Sequence, residues 1–139
     1  AAVVSLHSSF TQDRKTATAR ILNAFNAHPK VRIFGHPTGR LLGNREGVDA
    51  NWPEVFAEAK KRAIALEINS YPERLDLPDT LVYDAARAGV CFTIDTDSHA
   101  VGDMDLMRYG VSVARRGWAT KDDIRNSLGY TEFKKWLLK

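Results

Sequence analysis

Two carboxylates and an imidazole occupy alternate positions at the end of an apolar stretch, in the segment FTIDTDSHA at 92–100. Its first three residues, Phe-Thr-Ile, are typical of a buried β-strand. Asp95, Asp97 and His99 follow at every second position, and alternate residues of an extended chain project to the same side. Carboxylates and imidazoles are common ligands of divalent metal ions. The segment predicts a strand ending in a metal-binding group, with Asp95, the deepest of the three, either supporting the ligands or bonding within the core.

Four polar residues recur at a nearly constant interval along the chain. His7, His36, Glu67 and Asp97 are separated by 29, 31 and 30 positions, and a strand–helix–strand unit takes about 30 residues. Parallel strands bring their carboxyl ends to one edge of the sheet, where sites of α/β proteins form. We expect these residues to converge there, with His99 nearby, as a metal site. The alternative is that each is a helix cap or a solvated residue at a strand end.

The elements that would position these residues alternate between strands and helices. Asn51 and Pro53 mark one helix start, and the segment from Asp76 to Asp79 repeats the signal. The fold class is therefore α/β with a parallel strand–helix repeat in one domain. The predicted strands are 2–7, 31–35, 63–68 and 90–94, and the predicted helices are 13–27, 51–62, 76–89, 103–115, 122–128 and 131–138.

Composition narrows the class of protein. The chain has 139 residues, of which 44% are hydrophobic and 27% charged, and this balance is typical of a globular domain. Its apolar runs are too short to cross a bilayer. The single cysteine, Cys91, cannot form an internal disulfide, which favours a cytoplasmic setting. The net charge of +3 is compatible with an anionic substrate but does not require nucleic acid.

Five segments in a fixed order resemble a known family: SLHSSFTQDR (5–14), FGHPTGRLLG (34–43), LEINSYPERLDL (66–77), DTDSH (95–99) and MRYGVSVARRGW (107–118). Together they resemble the C-terminal portion of a PHP (polymerase and histidinol phosphatase) domain, as found in bacterial family X DNA polymerases. The resemblance spans essentially the whole chain. It implies part of a distorted barrel of seven strand–helix units that holds up to three metal ions, zinc or manganese.

The resemblance also implies roles for individual residues. His7 and His36 would share one metal, Asp97 would bind a second, and His99 a third, with Asp97 and His99 acting in catalysis. Independently of the resemblance, we expect Arg40, in the loop after His36, to hold a substrate phosphate, because a guanidinium group matches phosphate oxygens; the alternative is a solvated loop arginine. Residues expected to support the site or touch the substrate are Glu67, Asn69 and Asp95.

The implied function is metal-dependent hydrolysis of phosphoester bonds, as a 3′–5′ exonuclease or in the processing of DNA 3′ ends. The substrate would be a DNA end, and a polymerase domain in the same parent chain would be the partner, with no membrane involved. Two alternatives remain: a small-molecule phosphatase resembling histidinol phosphatase, and a non-catalytic module that scaffolds a polymerase.

The departure from the family pattern predicts an incomplete site. The His-x-His pair, the further histidines and the bridging Glu of the family's early motifs are absent from residues 1–139. We therefore expect this single domain to lack the N-terminal strands and to be inactive in isolation. Four strands would also leave one sheet edge open to another chain or to a second copy.

Overall fold

Strands and helices alternate along the chain as the sequence predicts. The structure is a computed structural model and describes residues 1–138. Its strands and α-helices are β1 (Ala2–Ser5), α1 (Arg14–Asn26), β2 (Val31–Gly35), α2 (Trp52–Arg62), β3 (Ala65–Asn69), α3 (Asp79–Ala88), β4 (Phe92–Asp95), α4 (Met107–Arg116) and α5 (Tyr130–Leu138). Short 3₁₀ turns occupy Val101–Leu106, Lys121–Asp123 and Arg125–Ser127. None of the helices in this range has the length and apolar character needed to span a membrane.

The four strands form one parallel sheet in the order β1-β2-β3-β4. This confirms the predicted α/β class and the strand–helix repeat. All five residues of β3 are buried, because the strand lies between β2 and β4 and is covered by helices. The parallel order places the carboxyl ends of all four strands at the same edge.

Apolar side chains from the helices pack against the central strands. Phe25 of α1 meets Phe34 of β2 edge to face, with ring centroids 5.2 Å apart. Helices α2 and α3 contribute Val55 and Val82, both fully buried. Burial of such side chains contributes roughly 1.5–3 kcal/mol each, so the core holds the strands firmly enough to fix what stands at their ends.

The structure corrects several predicted boundaries. Strand β3 begins at Ala65 rather than at position 63, because Ala63 adopts a left-handed conformation that ends α2. Asn51 does not cap the N–H groups of α2; its side chain donates to the Glu54 carboxylate instead. The predicted helix at 122–128 is wrong. Ile124 between the two 3₁₀ turns is extended and forms a bridge to Phe92.

The two edges of the sheet differ. The side-chain amide of Asn126 accepts from the Ile94 N–H (3.1 Å) and donates to the Ile94 carbonyl (2.6 Å), so it satisfies β4 as a neighbouring strand would. Within residues 1–138 no strand pairs with the outer side of β1, and Val3 is 59% exposed there. The β4 edge is sealed and the β1 edge is open, in agreement with the expected open edge.

We predict that Asn126→Ala will lower the free energy of unfolding by about 1–2 kcal/mol, because two polar groups of Ile94 lose their partner. Urea unfolding measures this loss, and sedimentation velocity measures the self-association that an unsealed β4 edge would promote. Asn44→Ala is the matched control, since Asn44 is exposed in a turn. Equal destabilisation by both substitutions would contradict the sealing role of Asn126.

Candidate functional site

Three of the four spaced residues stand just beyond strand ends, at one edge of the sheet. His36 follows β2 directly, while His7 and Asp97 lie two residues after β1 and β4. Glu67 lies within β3, two residues before its end. Its buried carboxyl group still reaches the same edge, because it accepts a hydrogen bond from the backbone N–H of His36.

His7 and His36 form the closest pair of potential ligands. Their ring centroids are 5.1 Å apart and the ring planes are nearly perpendicular, at 84°. Two imidazoles bound to one tetrahedral ion would have centroids about 5 Å apart, since each metal–nitrogen bond is about 2.1 Å long. His7 is exposed and His36 is buried, so the pair lies at the boundary between core and solvent.

The imidazole of His36 is suited to bind a cation. Its Nδ1 atom is buried and has no hydrogen-bond partner within residues 1–138. Burial holds the pKa of His36 below its usual value; nearby Arg74 acts in the same direction, and Asp97 opposes both. The ring is therefore neutral near pH 7, and an unpaired lone pair on neutral imidazole is what a metal ion requires.

Two of the strand-end residues adopt unusual backbone conformations. His36 has φ of 28° and Asp97 has φ of 49°, in the left-handed region that residues with a Cβ rarely adopt. Such conformations persist only where the surroundings enforce them, and they concentrate at functional sites. The hydrogen bond from the His36 N–H to the Glu67 carboxyl group helps to hold the conformation of His36.

Asp76 holds the segment that follows His36. Its side chain is fully buried and accepts from the backbone N–H groups of Thr38 (3.0 Å) and Gly39 (2.8 Å). Burial raises the pKa of Asp76, while these N–H groups and nearby Arg40 oppose the rise. Asp76 is therefore not part of the start of helix α3, as the sequence pattern indicated, but the anchor of the loop beyond β2.

Arg40 also links two loops at this edge of the sheet. Its Nε donates to the carbonyl of Arg74 (2.8 Å), and a terminal nitrogen donates to the carbonyl of Leu75. The guanidinium group thus ties the segment after β2 to the segment after β3. Its predicted role in binding phosphate stays a prediction, and its main contacts within this chain are structural.

A buried pair of carboxyl groups lies beneath the histidines. Burial, and then the charge of Asp95, raise the pKa of Glu67 to about 8. Burial also raises the pKa of Asp95, and the hydrogen bond from Glu67 opposes that rise. At neutral pH Glu67 therefore carries the proton and shares it with Asp95, which avoids two negative charges in the same buried space.

Asn69 links this pair to Asp97. Its buried side-chain nitrogen lies 3.3 Å from Glu67 Oε2 and 3.3 Å from Asp97 Oδ2. Both distances are long for such bonds, but one donor group spans two strands. The predicted supporting residues Glu67, Asn69 and Asp95 are therefore in one polar network that connects β2, β3 and β4.

Arg74 is a residue of this edge that the sequence analysis missed. Its Nε lies 3.7 Å from Asp97 Oδ2, and its side chain is 23% exposed. The sequence could have indicated Arg74, because it is a cation in the irregular segment after β3. Equivalent segments after β2 and β4 carry His36 and Asp97. Arg74 is better placed than Arg40 to contact an anion, because within residues 1–138 its guanidinium group forms only this loose ion pair.

His99 is not brought into the group. It is exposed, and its backbone N–H donates to Asp103 Oδ2 (3.0 Å) at the start of a 3₁₀ turn. Within residues 1–138, no three His, Cys, Asp or Glu side chains converge closely enough to hold a metal ion. The imidazole pair has the right donor chemistry for such an ion but supplies only two donors.

Comparisons with known proteins agree with part of the predicted relationship. No family model matches the chain. The chain is 36% identical, over 136 residues, to the DNA polymerase/3′-5′ exonuclease PolX of Bacillus subtilis (strain 168). The matched region is 97% of this chain but 24% of that protein, so the chain spans about a quarter of the relative's length. The chain is thus related to a segment of an enzyme, and the activities in that name belong to the whole relative.

The shared proton of Glu67 predicts a pH dependence of stability. Glu67 ionises near its ordinary value of 4.5 in the unfolded chain but near 8 in the folded chain. The folded state therefore holds an extra proton between these values, and stability falls as the pH rises from about 4.5 to 8. Glu67→Gln removes this contribution while keeping an oxygen that accepts from the His36 N–H.

We expect the stability of the Glu67→Gln variant, relative to the parent, to rise by on the order of 3 kcal/mol between pH 5 and pH 8.5. Urea unfolding of metal-free protein across this range measures it. Glu46→Gln is the control, because Glu46 is exposed. A difference between parent and Glu67→Gln that does not change with pH would refute the buried, protonated state.

Proposed function

We propose that this chain is part of a metal-dependent phosphoesterase that acts on DNA 3′ ends, as a 3′–5′ exonuclease or end-processing activity. The observation that carries the proposal is the buried, neutral imidazole of His36, with its unpaired Nδ1, beside His7. Asp97 and Arg74 stand at the same edge. This edge combines metal donors with a cation for an anionic substrate.

The relationship to PolX supports the DNA substrate. That relative is named as a polymerase and a 3′-5′ exonuclease, and this chain matches one segment of it. We assign the chain to the C-terminal portion of a PHP domain, within a longer chain that also carries a polymerase domain. In that setting the donors beyond His7 and His36 come from strands outside this chain.

His7 and His36 would hold one zinc or manganese ion, and Asp97 and His99 would contribute to others. A bound divalent ion would polarise a phosphoryl oxygen and lower the pKa of a water molecule. The chain's own residues have distinct tasks. The Glu67 carboxyl group fixes the backbone of His36, and Asn69 orients Asp97.

Arg74 would bind the substrate phosphate. Its guanidinium group can donate to two phosphate oxygens. To do so it would give up only its loose contact with Asp97. The partly buried position strengthens such a contact over one in bulk water. Arg74 would thus hold the phosphate at the edge where the histidines lie.

A non-catalytic role as a scaffold for a polymerase is the second candidate. It is favoured by the finding that residues 1–138 bring no three metal ligands together. In this case the open β1 edge would be the surface that meets the rest of the parent chain. The two candidates differ in whether donors from elsewhere complete the site.

We predict that the chain binds zinc weakly and that His36→Ala and His7→Ala abolish this binding. His36→Ala keeps the backbone N–H that bonds to Glu67, so the fold should survive. Calorimetric titration with zinc measures binding, and circular dichroism checks the fold. His28→Ala is the control, because His28 is exposed in the turn after α1 and its Nδ1 accepts from the Lys30 N–H. Unchanged binding in His36→Ala would count against the site.

We also predict that this chain alone hydrolyses a 3′-ended oligonucleotide with manganese far more slowly than a longer version that carries the upstream strands. A single imidazole pair holds an ion too loosely to position it against phosphorus. Comparing the two proteins on the same substrate tests the proposal. Equal turnover by the two proteins would show that the metal donors of this chain suffice. If the longer protein binds metal but does not turn over the substrate, the scaffold role is favoured.

A further inference from the structure

A polar cavity lies at the opposite end of the sheet from the histidines. It has a volume of about 440 Å³ and is lined by the end of α2, by Gly89 and Cys91 ahead of β4, by Arg125 and by α5. We call it the basal cavity, because Ala63 and Cys91 in its wall lie within two residues before the starts of β3 and β4 rather than after their ends. Its volume is within the range of small-molecule sites, roughly 300–1,000 Å³.

The charge of the basal cavity is strongly positive. Lys60, Arg125 and Lys135 line it, against one carboxylate, Glu132. Among the ion pairs formed within residues 1–138, none involves any of these three cations. Elsewhere on α2 the arrangement is different, since Lys61 and Arg62 both pair with Glu58. Three cations in the lining outnumber the single carboxylate, and an anion bound among them would offset this excess of positive charge.

Two buried donors in the wall also lack acceptors. Arg125 Nε and Trp136 Nε1 are shielded from solvent and have no hydrogen-bond partner within residues 1–138. Buried N–H groups almost always find a partner, because leaving one unpaired costs free energy. Both residues line the basal cavity. The cavity therefore has an excess of positive charge at its surface, and two unpaired donors lie behind its wall, where a ligand would reach them only after those side chains move.

We propose that the basal cavity binds a small phosphorylated molecule. A guanidinium group and two ammonium groups match the two charges and the several acceptor oxygens of a phosphate monoester. A phosphate group fills only part of about 440 Å³, so an organic portion would lie against the indole of Trp136 and the small side chains around Cys91. This site is separate from the proposed phosphoesterase edge and does not depend on its activity.

The test uses the emission of Trp136 as the reporter of binding. The chain has three tryptophans, so a variant with Trp52→Phe and Trp118→Phe leaves Trp136 alone. Inorganic phosphate and dAMP are titrated at constant ionic strength, with acetate as a monovalent anion for comparison. We expect a saturable change with both phosphates and none with acetate. Calorimetry on the unsubstituted chain provides an independent measure of Kd.

Matched lysine variants then locate the binding site. Lys60→Ala and Lys135→Ala should each weaken phosphate binding about tenfold or more, because each removes a direct charge contact. Lys61→Ala and Lys134→Ala remove the same charge from neighbouring positions outside the cavity lining and should change Kd by less than about twofold.

Three results would overturn the proposal. The first is the absence of saturable binding to the unsubstituted chain. The second is equal weakening by all four lysine variants, which would mean general screening rather than a site. The third is tighter binding of a 5′-phosphorylated oligonucleotide than of dAMP, lost in Lys60→Ala and Lys135→Ala, which would assign the phosphate to a strand end instead of a small molecule.

Discussion

The buried carboxyl group of Glu67 is the point on which the geometry of the sheet edge depends. It accepts from the backbone N–H of His36 on β2's carboxyl end, contacts Asn69 within its own strand, and shares a proton with Asp95 of β4. An ionised Glu67 would face Asp95 across a space with little water, at a large cost in free energy. Because Glu67 holds the proton, its carboxyl group and that of Asp95 attract rather than repel each other. The ends of three strands are therefore joined in one hydrogen-bonded network.

The loops above this network are fixed by the same means, with buried polar groups satisfied by the backbone. Asp76 accepts from the N–H groups of Thr38 and Gly39, and Arg40 donates to the carbonyls of Arg74 and Leu75. The loop that begins at His36 is therefore tied at two points to the loop that follows β3. These ties hold the backbone of His36 in its unusual conformation. The Nδ1 atom of its imidazole remains without a hydrogen-bond partner within residues 1–138.

Sequence patterns predicted the strands and their parallel order because each strand is a short apolar run at a regular interval, and burial dictates both features. The position of His36 followed from that interval. The roles of Asp76, Arg40 and Arg74 did not, because each depends on contacts between loops more than 20 residues apart in the chain, which no local pattern encodes. The helix predicted at 122–128 failed for a similar reason: tertiary pairing of Ile124 with Phe92 overrides local helix propensity.

The unequal edges of the sheet limit how many copies of this chain could be joined by strand pairing alone. Asn126 uses its amide to occupy the β4 edge, whereas no strand of residues 1–138 pairs with the outer side of β1. A sheet with two open edges can extend without limit into a fibre, but one with a single open edge cannot. Two copies that met through β1 would form one continuous sheet with a sealed β4 at each end. Strand pairing of this kind is therefore self-terminating at a two-fold pair.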